Sequence, residues 1–324
     1  MTAKIVSIKD NELAALEAAL AELRQGMPIG LPTETVYGLA GDATNPEAIS
    51  RIYETKGRPS FNPLIAHVGT LAMAEAQAEF SLLAHLLAEK FWPGALTIVL
   101  PLKANHTVHD LATAGLDTVA LRMPRGFASR LITAFGRPLA APSANLSGKI
   151  STTDAHHVAD DLGDRINLIL DDGPTPIGVE STIVKIDGEK IYLLRPGGIA
   201  SEEIEKVAGL PLLRLGNETG IQAPGMLSSH YAPNAKMVLE ASECIAGDAL
   251  IRFGAGQVRG QDQAEIILDL SPSGDLAEAA ANLFHYLKTA DASGAQVIRV
   301  MPIPAHGLGE AIIDRLQRAA APRE

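Results

Sequence analysis

Four stretches of the chain gather hydroxyls, amides and cations beside prolines, in the gaps between apolar runs. LPTETVYGLAGDA (31–43) sets Thr33, Glu34, Thr35 and Tyr37 directly after an apolar run, and KGRPSFNPLIAHV (56–68) carries Lys56, Arg58, Asn62 and, beyond a further run, His67. A residue before proline is biased to extended backbone, so Arg58 and Asn62 are expected on a rigid, non-helical segment. RPLAAPSANLSGKIS (137–151) ends an apolar run in a Ser-x-Asn turn. GVESTIVKI followed by IYLLRPGG (178–198) ends a strand at Arg195, next to a Pro-Gly-Gly turn. Polar side chains at strand ends beside loops are where open α/β sheets take ligands. Each stretch alone also reads as capping hydroxyls, Asx-turns or an arginine paired with a carboxylate. The four together point to a polar ligand site.

The charge pattern suits a small anion better than a long one. Over 324 residues, 27 basic against 38 acidic side chains give −11, whereas residues 51–150 sum to +4 and residues 151–250 to −9. A locally basic stretch in an acidic chain fits a pocket with a few convergent cations, or else solvated helix faces. The overall balance argues against the basic domain that grips nucleic acid. Cys244 stands alone, which excludes an internal disulfide and cysteine-based zinc clusters. No apolar run approaches the ~18 residues needed to span a bilayer, and MTAKIVSIKD lacks a signal-peptide core, so a cytoplasmic protein without membrane contact is expected. Several motifs fail on inspection. Gly148-Lys149 lacks the P-loop frame, FGAGQVRG lacks G-x-G-x-x-G spacing, and Ser143 and Ser147 lack a G-x-S-x-G elbow. His156-His157 before Asp160 and Asp161 reads as solvated polar residues, because adjacent side chains point to different sides of a helix.

Positioning these residues requires alternating strands and helices. Residues 11–26 predict a helix with Leu13, Leu16, Leu20 and Leu23 on one face, Asn11 as cap and Gly26 as stop. Short apolar runs (PIGL, LIAHV, LTIVL, TVALRM, PLAAP, NLIL, STIVKI, IYLLR) read as strands, with helices at PEAISRIYETKG, near 126–135, and at SEEIEKVAG opened by Ser201. This predicts an α/β domain over 1–212. Residues 213–235 have neither period and read as a linker. Residues 236–324 read as a smaller Rossmann-like α/β domain: KMVLE, DALIRF, EIILDL and AQVIRV as parallel strands, helices near 275–291 and 308–320.

PTETVYGL, KGRPxxNPL, APSANLSG, VESTIV, LRPGG and the linker's PGMxxxHYAP, in this order, resemble the YrdC family in its longer form, the L-threonylcarbamoyladenylate synthases. The resemblance covers residues 10–235 and implies a twisted mixed sheet with flanking helices around a concave basic pocket. It implies condensation of L-threonine, bicarbonate and ATP into threonylcarbamoyl-AMP and pyrophosphate. A separate transferase complex would then modify tRNAs reading ANN codons, with no stable tRNA binding required of this chain. Carried across by motif, Thr35, His67, Arg122, the Ala141 backbone and Ser181 match threonine contacts. Lys56, Arg58 and Asn62 match the ATP phosphate site, with Lys56 and Arg58 as the catalytic cations. Thr118, Ser143, Asn145, Ser151 and Arg195 match further nucleotide contacts, and His230 matches a position closing over the nucleotide. Phe61 and Ala66 depart from the family's usual polar residue and valine.

These residue types suit that reaction. Displacement at phosphorus demands charge neutralisation and alignment more than proton transfer. A carbamate oxygen is already anionic, so no Ser/His/Asp arrangement is called for, and Mg2+ is expected on the polyphosphate, held mostly by phosphate oxygens and water. Two other readings compete: a double-stranded RNA-binding module, opposed by the −11 balance, and a related carbamoyl transfer as in hydrogenase maturation proteins, whose zinc-finger cysteines are missing here.

Overall fold

The computed structural model describes residues 2–214, 223 and 231–322. His230 lies outside them. The strands are β1 (Lys4–Ser7), β2 (Ile29–Leu31), β3 (Gly38–Asp42), β4 (Ile65–His67), β5 (Leu96–Pro101), β6 (Thr118–Arg122), β7 (Leu139–Ala140), β8 (Leu168–Asp171), β9 (Thr182–Asp187), β10 (Lys190–Arg195), β11 (Leu212–Arg214), β12 (Lys236–Val238), β13 (Ala249–Arg252), β14 (Ile266–Asp269) and β15 (Val297–Val300). The first eleven form one sheet in the order β1-β8-β2-β3-β7-β4-β6-β5-β9-β10-β11. That sheet is mixed, for example parallel at β4/β6 and β5/β9 and antiparallel at β5/β6 and β9/β10. The last four form a parallel sheet, β12-β15-β13-β14, as the runs in the sequence predict.

Helices cover the large sheet. Ile49 and Ile52 of helix Pro46–Lys56 and Leu87 of helix Leu82–Phe91 share a core with Leu39, Ile98 and Leu121. Helices Glu12–Arg24 and Gly126–Phe135 pack with Ile29, Leu31, Leu168 and Leu170. Asn11 caps its helix as expected, accepting from Ala14 N at 3.0 Å. The buried stripe of that helix is Ala15, Ala19 and Leu23, however, and Leu13 is 65% exposed. Small alanines spaced four apart let the helix approach closely, which the leucine pattern alone conceals. Ser201 is the first helical residue rather than the cap; its hydroxyl donates to Glu310 Oε2 at 2.6 Å.

The core of the second unit does not stop at its own boundary. Leu283, Phe284, Leu287 and Ile312 share a cluster with Val36, Ile150, Val179 and Tyr231. Polar contacts continue this seam. Lys288 pairs with Asp161 at 2.7 Å, and Asp154 Oδ2 lies 3.0 Å from His157 Nδ1 and 3.7 Å from His285 Nδ1. His157 is therefore half-buried between two helices and not a solvated residue, because helix Leu276–Ala292 covers that face.

Candidate active site

The site is assembled by the ends of β4, β6 and β10 and by the loops around 33–37, 141–145 and 178–181. Period two along β6 places Thr118, Ala120 and Arg122 on one face. Arg122, at its end, is 3% exposed. Its Nε donates to Gly94 O at 3.1 Å, its Nη1 to Thr35 Oγ1 at 2.8 Å, and its Nη2 lies 2.9 Å from Glu34 Oε1. Burial, the largest single effect, pushes the Glu34 carboxyl up, but the Arg122 charge together with hydrogen bonds from Arg122 and the backbone of Arg125 holds it below its ordinary value. The Thr35 hydroxyl is oriented by a neighbour. Thr33 Oγ1 donates to Val36 O at 2.7 Å, so the 2.9 Å contact between the hydroxyls has Thr35 donating, and its lone pairs face Arg122. His67 sits beside Arg122 in the parallel register of β4 and β6. Burial first, then the Arg122 charge, press its pKa down to about 3, so the imidazole is neutral at physiological pH.

Helix Pro46–Lys56 delivers the second group of cations. Asn45 caps it and Gly57, at φ +60°, ends it in the left-handed region, leaving Lys56 on the last turn. Lys56 Nζ reaches the carbonyls of Ser143 and Asn145, both at 2.5 Å, and burial drives its pKa well down. It thereby fastens the Ser-x-Asn turn to the KGR segment. Arg58 braces its own loop, donating to the Asn62 and Pro63 carbonyls at 3.3 and 3.1 Å, and burial lowers it to about 10. Tyr53 donates to the same Asn62 carbonyl at 3.2 Å. The Oδ1 atoms of Asn62 and Asn145 are buried with no hydrogen-bond partner among the described residues, an arrangement that a polar ligand would relieve.

The third group centres on the VEST and RPGG segments. Arg195 Nη2 donates to Ser181 O at 2.9 Å, and Ser181 Oγ lies 2.7 Å from Thr97 Oγ1. Glu180 Oε1 accepts from Ser151 Oγ at 2.7 Å. A Cβ on Gly197 would lie 2.3 Å from Glu180 O, so only glycine lets the two segments approach this closely.

Thr35, Arg58, His67, Arg122, Ala141, Ser143, Ser181 and Arg195 thus line one cavity of about 500 Å³ including its open mouth, with Val36, Ile65, Pro142, Glu180 and Tyr231. Lys56, Asn62, Asn145 and Ser151 stand behind this lining, and Thr118 lies at the opposite end of β6 from Arg122. Between them Ile65, Val99, Ala120, Ile183 and Leu194 form an apolar strip against which Ala223 is fully buried. Sequence reasoning left Glu34, Glu180 and Tyr231 without a role, although all three sit in the motifs it singled out.

Comparison with known proteins assigns the chain to a family. The family described as "Telomere recombination" matches residues 21–197, and that described as "Threonylcarbamoyl-AMP synthase, C-terminal domain" matches residues 199–321. A threonylcarbamoyl-AMP synthase of Pyrococcus abyssi is 40% identical, with 98% of each chain covered. The chain belongs to the threonylcarbamoyl-AMP synthase family. A Bacillus subtilis member is 41% identical over 98% of this chain and 95% of its own. The crystal structure of P. abyssi Sua5 complexed with L-threonine superposes with a TM-score of 0.88 at 37% identity, covering 99% and 98% of the two chains. Escherichia coli YciO, at 21% identity and a TM-score of 0.54, covers 60% of this chain and 96% of its own, and shares the fold.

Proposed function

We propose that the protein condenses L-threonine, bicarbonate and ATP into threonylcarbamoyl-AMP and pyrophosphate, supplying a separate transferase complex that modifies tRNAs reading ANN codons in the cytoplasm. The observation that carries this reading is the convergence of three guanidiniums, Arg58, Arg122 and Arg195, with a neutral imidazole and the aliphatic hydroxyls of Thr35, Ser143 and Ser181 on one cavity. No described helix is long and apolar enough to cross a membrane.

Threonine is assigned to the Arg122 end. Three of the five Arg122 N–H donors face Gly94, Thr35 and Glu34, leaving two for a carboxylate, while His67, Thr35, Ser181 and the Ala141 backbone surround the rest of the amino acid. Selectivity for threonine follows from buried groups that would stay unpaired against an amino acid lacking the hydroxyl. ATP is assigned to Lys56, Arg58, Asn62, Ser143, Asn145, Ser151 and Arg195, with Thr118 at the far end of the apolar strip. The amine and bicarbonate or CO2 give a carbamate whose oxygen attacks the α-phosphorus as pyrophosphate leaves. Arg58, Arg195 and Lys56 neutralise the charge that develops, the two arginines through rigid forks. Mg2+ would be carried on the polyphosphate, since Glu180, in the cavity lining, and Glu34, behind Arg122, both face arginines. The reading extends to a cover: residues 222–235, His230 among them, would fold over the adenylate and exclude water. Ala223 on the apolar strip and Tyr231 in the cavity lining support it.

The test is ATP turnover to AMP and pyrophosphate with threonine and bicarbonate omitted in turn. Turnover should require both, and indifference to threonine would sink the reading.

A further inference from the structure

Among the described residues, the largest fully buried side chain belongs to the second unit. Arg315, on helix Gly309–Ala320, has no solvent exposure, yet two of the groups it meets, Glu180 and Pro196, lie more than a hundred residues away along the chain. Its Nε donates to Glu180 Oε2 at 2.8 Å, its Nη2 to Pro196 O at 2.9 Å, and its Nη1 to Asp314 Oδ2 at 2.5 Å. Its guanidinium carbon lies 5.4 Å from the Tyr231 ring centroid, and that ring also stacks on Phe284, at 5.3 Å and 28°.

Each contact bears on the cavity. Glu180 spends one oxygen on Arg315 and the other on Ser151, and its backbone carbonyl accepts from Gly198 N at 2.9 Å. The next residue, Ser181, carries Arg195. Tyr231, held between Arg315 and Phe284, is part of the cavity wall. A buried ion pair gains little net stability, because desolvating two charges offsets their attraction. Its geometric effect is larger: a planar fork with five donors fixes a carboxylate, a carbonyl and a ring in one arrangement.

We propose that Arg315 is a positioning residue for the nucleotide side of the cavity, so that the last helix of the C-terminal unit completes the active site by fixing Glu180, Ser151 and Tyr231. This rests on the assignment of Ser151 and Arg195 to ATP. Of the threonine contacts, Arg122, Thr35 and His67 lie outside the network, and Ser181, which adjoins Glu180, keeps its hydroxyl on Thr97. The high pKa enforced on Arg315 by Tyr231, Glu180 and Asp314 against its burial keeps it charged throughout.

The experiment measures pyrophosphate release by the full-length chain, with KM for ATP and for threonine, in Arg315→Lys, Arg315→Met, Glu180→Gln and the Arg315→Met/Glu180→Gln double variant. Arg315→Lys keeps the charge and loses the fork, so it should stay folded. Its KM for ATP should rise at least tenfold and its KM for threonine less than twofold. The double variant, which leaves no lone buried charge, should lose less than the product of the single losses. Equal rises in both KM values, multiplicative losses, or an unchanged KM for ATP in folded variants would overturn the proposal. If the wild type releases no pyrophosphate in response to threonine, the functional reading fails instead. Direct ATP binding by calorimetry then tests Arg315 on its own, with the same tenfold weakening expected and unchanged affinity overturning it.

Discussion

Arg122 occupies a place where an ammonium would not serve. It holds Gly94 O, Thr35 Oγ1 and Glu34 at once with two donors to spare, whereas a lysine's compact ammonium has three donors on one atom and none left for a carboxylate if it met all three. Arg122→Lys should therefore raise the KM for threonine by ~10–100-fold, from the ~1.5–3 kcal/mol of one charge-assisted hydrogen bond; steady-state kinetics with threonine varied checks this, and an unchanged KM would detach Arg122 from the carboxylate. Arg58→Ala and Lys56→Ala should each abolish most turnover while far-UV circular dichroism stays that of wild type. The two differ in cause. Arg58 lines the cavity, whereas Lys56 also carries the Ser143 and Asn145 carbonyls, so its loss should cost ~1–3 kcal/mol of stability as well. The cations were legible in the sequence because the KGR, LRMP and LRPGG contexts isolate them between apolar runs. Glu34 and Glu180 were not, since nothing local to a carboxylate tells which arginine it will meet 88 or 135 positions away.

At the level of elements, periodicity located what has a clear period. Helix Gly126–Phe135 and the four parallel strands of the second unit fall where the apolar runs place them. β3 did not show itself, because GLAGD is buried on both faces and carries two glycines and an aspartate, so it neither alternates nor reads as an apolar run. The two-residue strand β7 has no period, yet it falls inside PLAAP, which reads as an apolar run. The turn after β10 was marked by composition, and the contact it makes explains why glycine stands there. Gly197→Ala would drive a Cβ to 2.3 Å from Glu180 O and 2.4 Å from the Ser181 carbonyl carbon. Both contacts are backbone, so the segments must separate, at a cost of ~1–3 kcal/mol. We expect a lower urea midpoint together with a raised KM for ATP, because Arg195 moves with the turn, and a raised KM for threonine, because Ser181 does; a variant matching wild type in all three would show that the VEST and RPGG segments need not be held together.

The whole molecule is acidic at −11 while its cavity is basic, and the seam between the two units shows how both hold together. The +4 stretch supplies Lys56, Arg58 and Arg122, but Arg195 comes from the −9 stretch and Arg315 from the far end of the chain, so average charge was only a partial guide. The seam's carboxylates make it sensitive to acid. Burial would raise Glu180, but Arg315, Arg195 and the Ser151 hydroxyl hold it at about 2 rather than 4.5. Burial likewise opposes, and the His157 and His285 contacts enforce, a value of about 2 rather than 3.8 for Asp154. A carboxyl whose folded pKa lies below its unfolded one contributes stability above the unfolded value and loses it as the pH falls through the folded value. Stability should therefore drop between roughly pH 4.5 and 2, with Glu180 alone accounting for on the order of 3 kcal/mol. Urea unfolding followed from pH 6 down to pH 3 should show a steep fall in wild type. Glu180→Gln should start less stable, because it leaves Arg315 without its counter-charge, and should then lose less as the pH drops. Parallel curves for the two proteins would mean that Glu180 titrates as an ordinary carboxyl and that the seam rests on its apolar core alone.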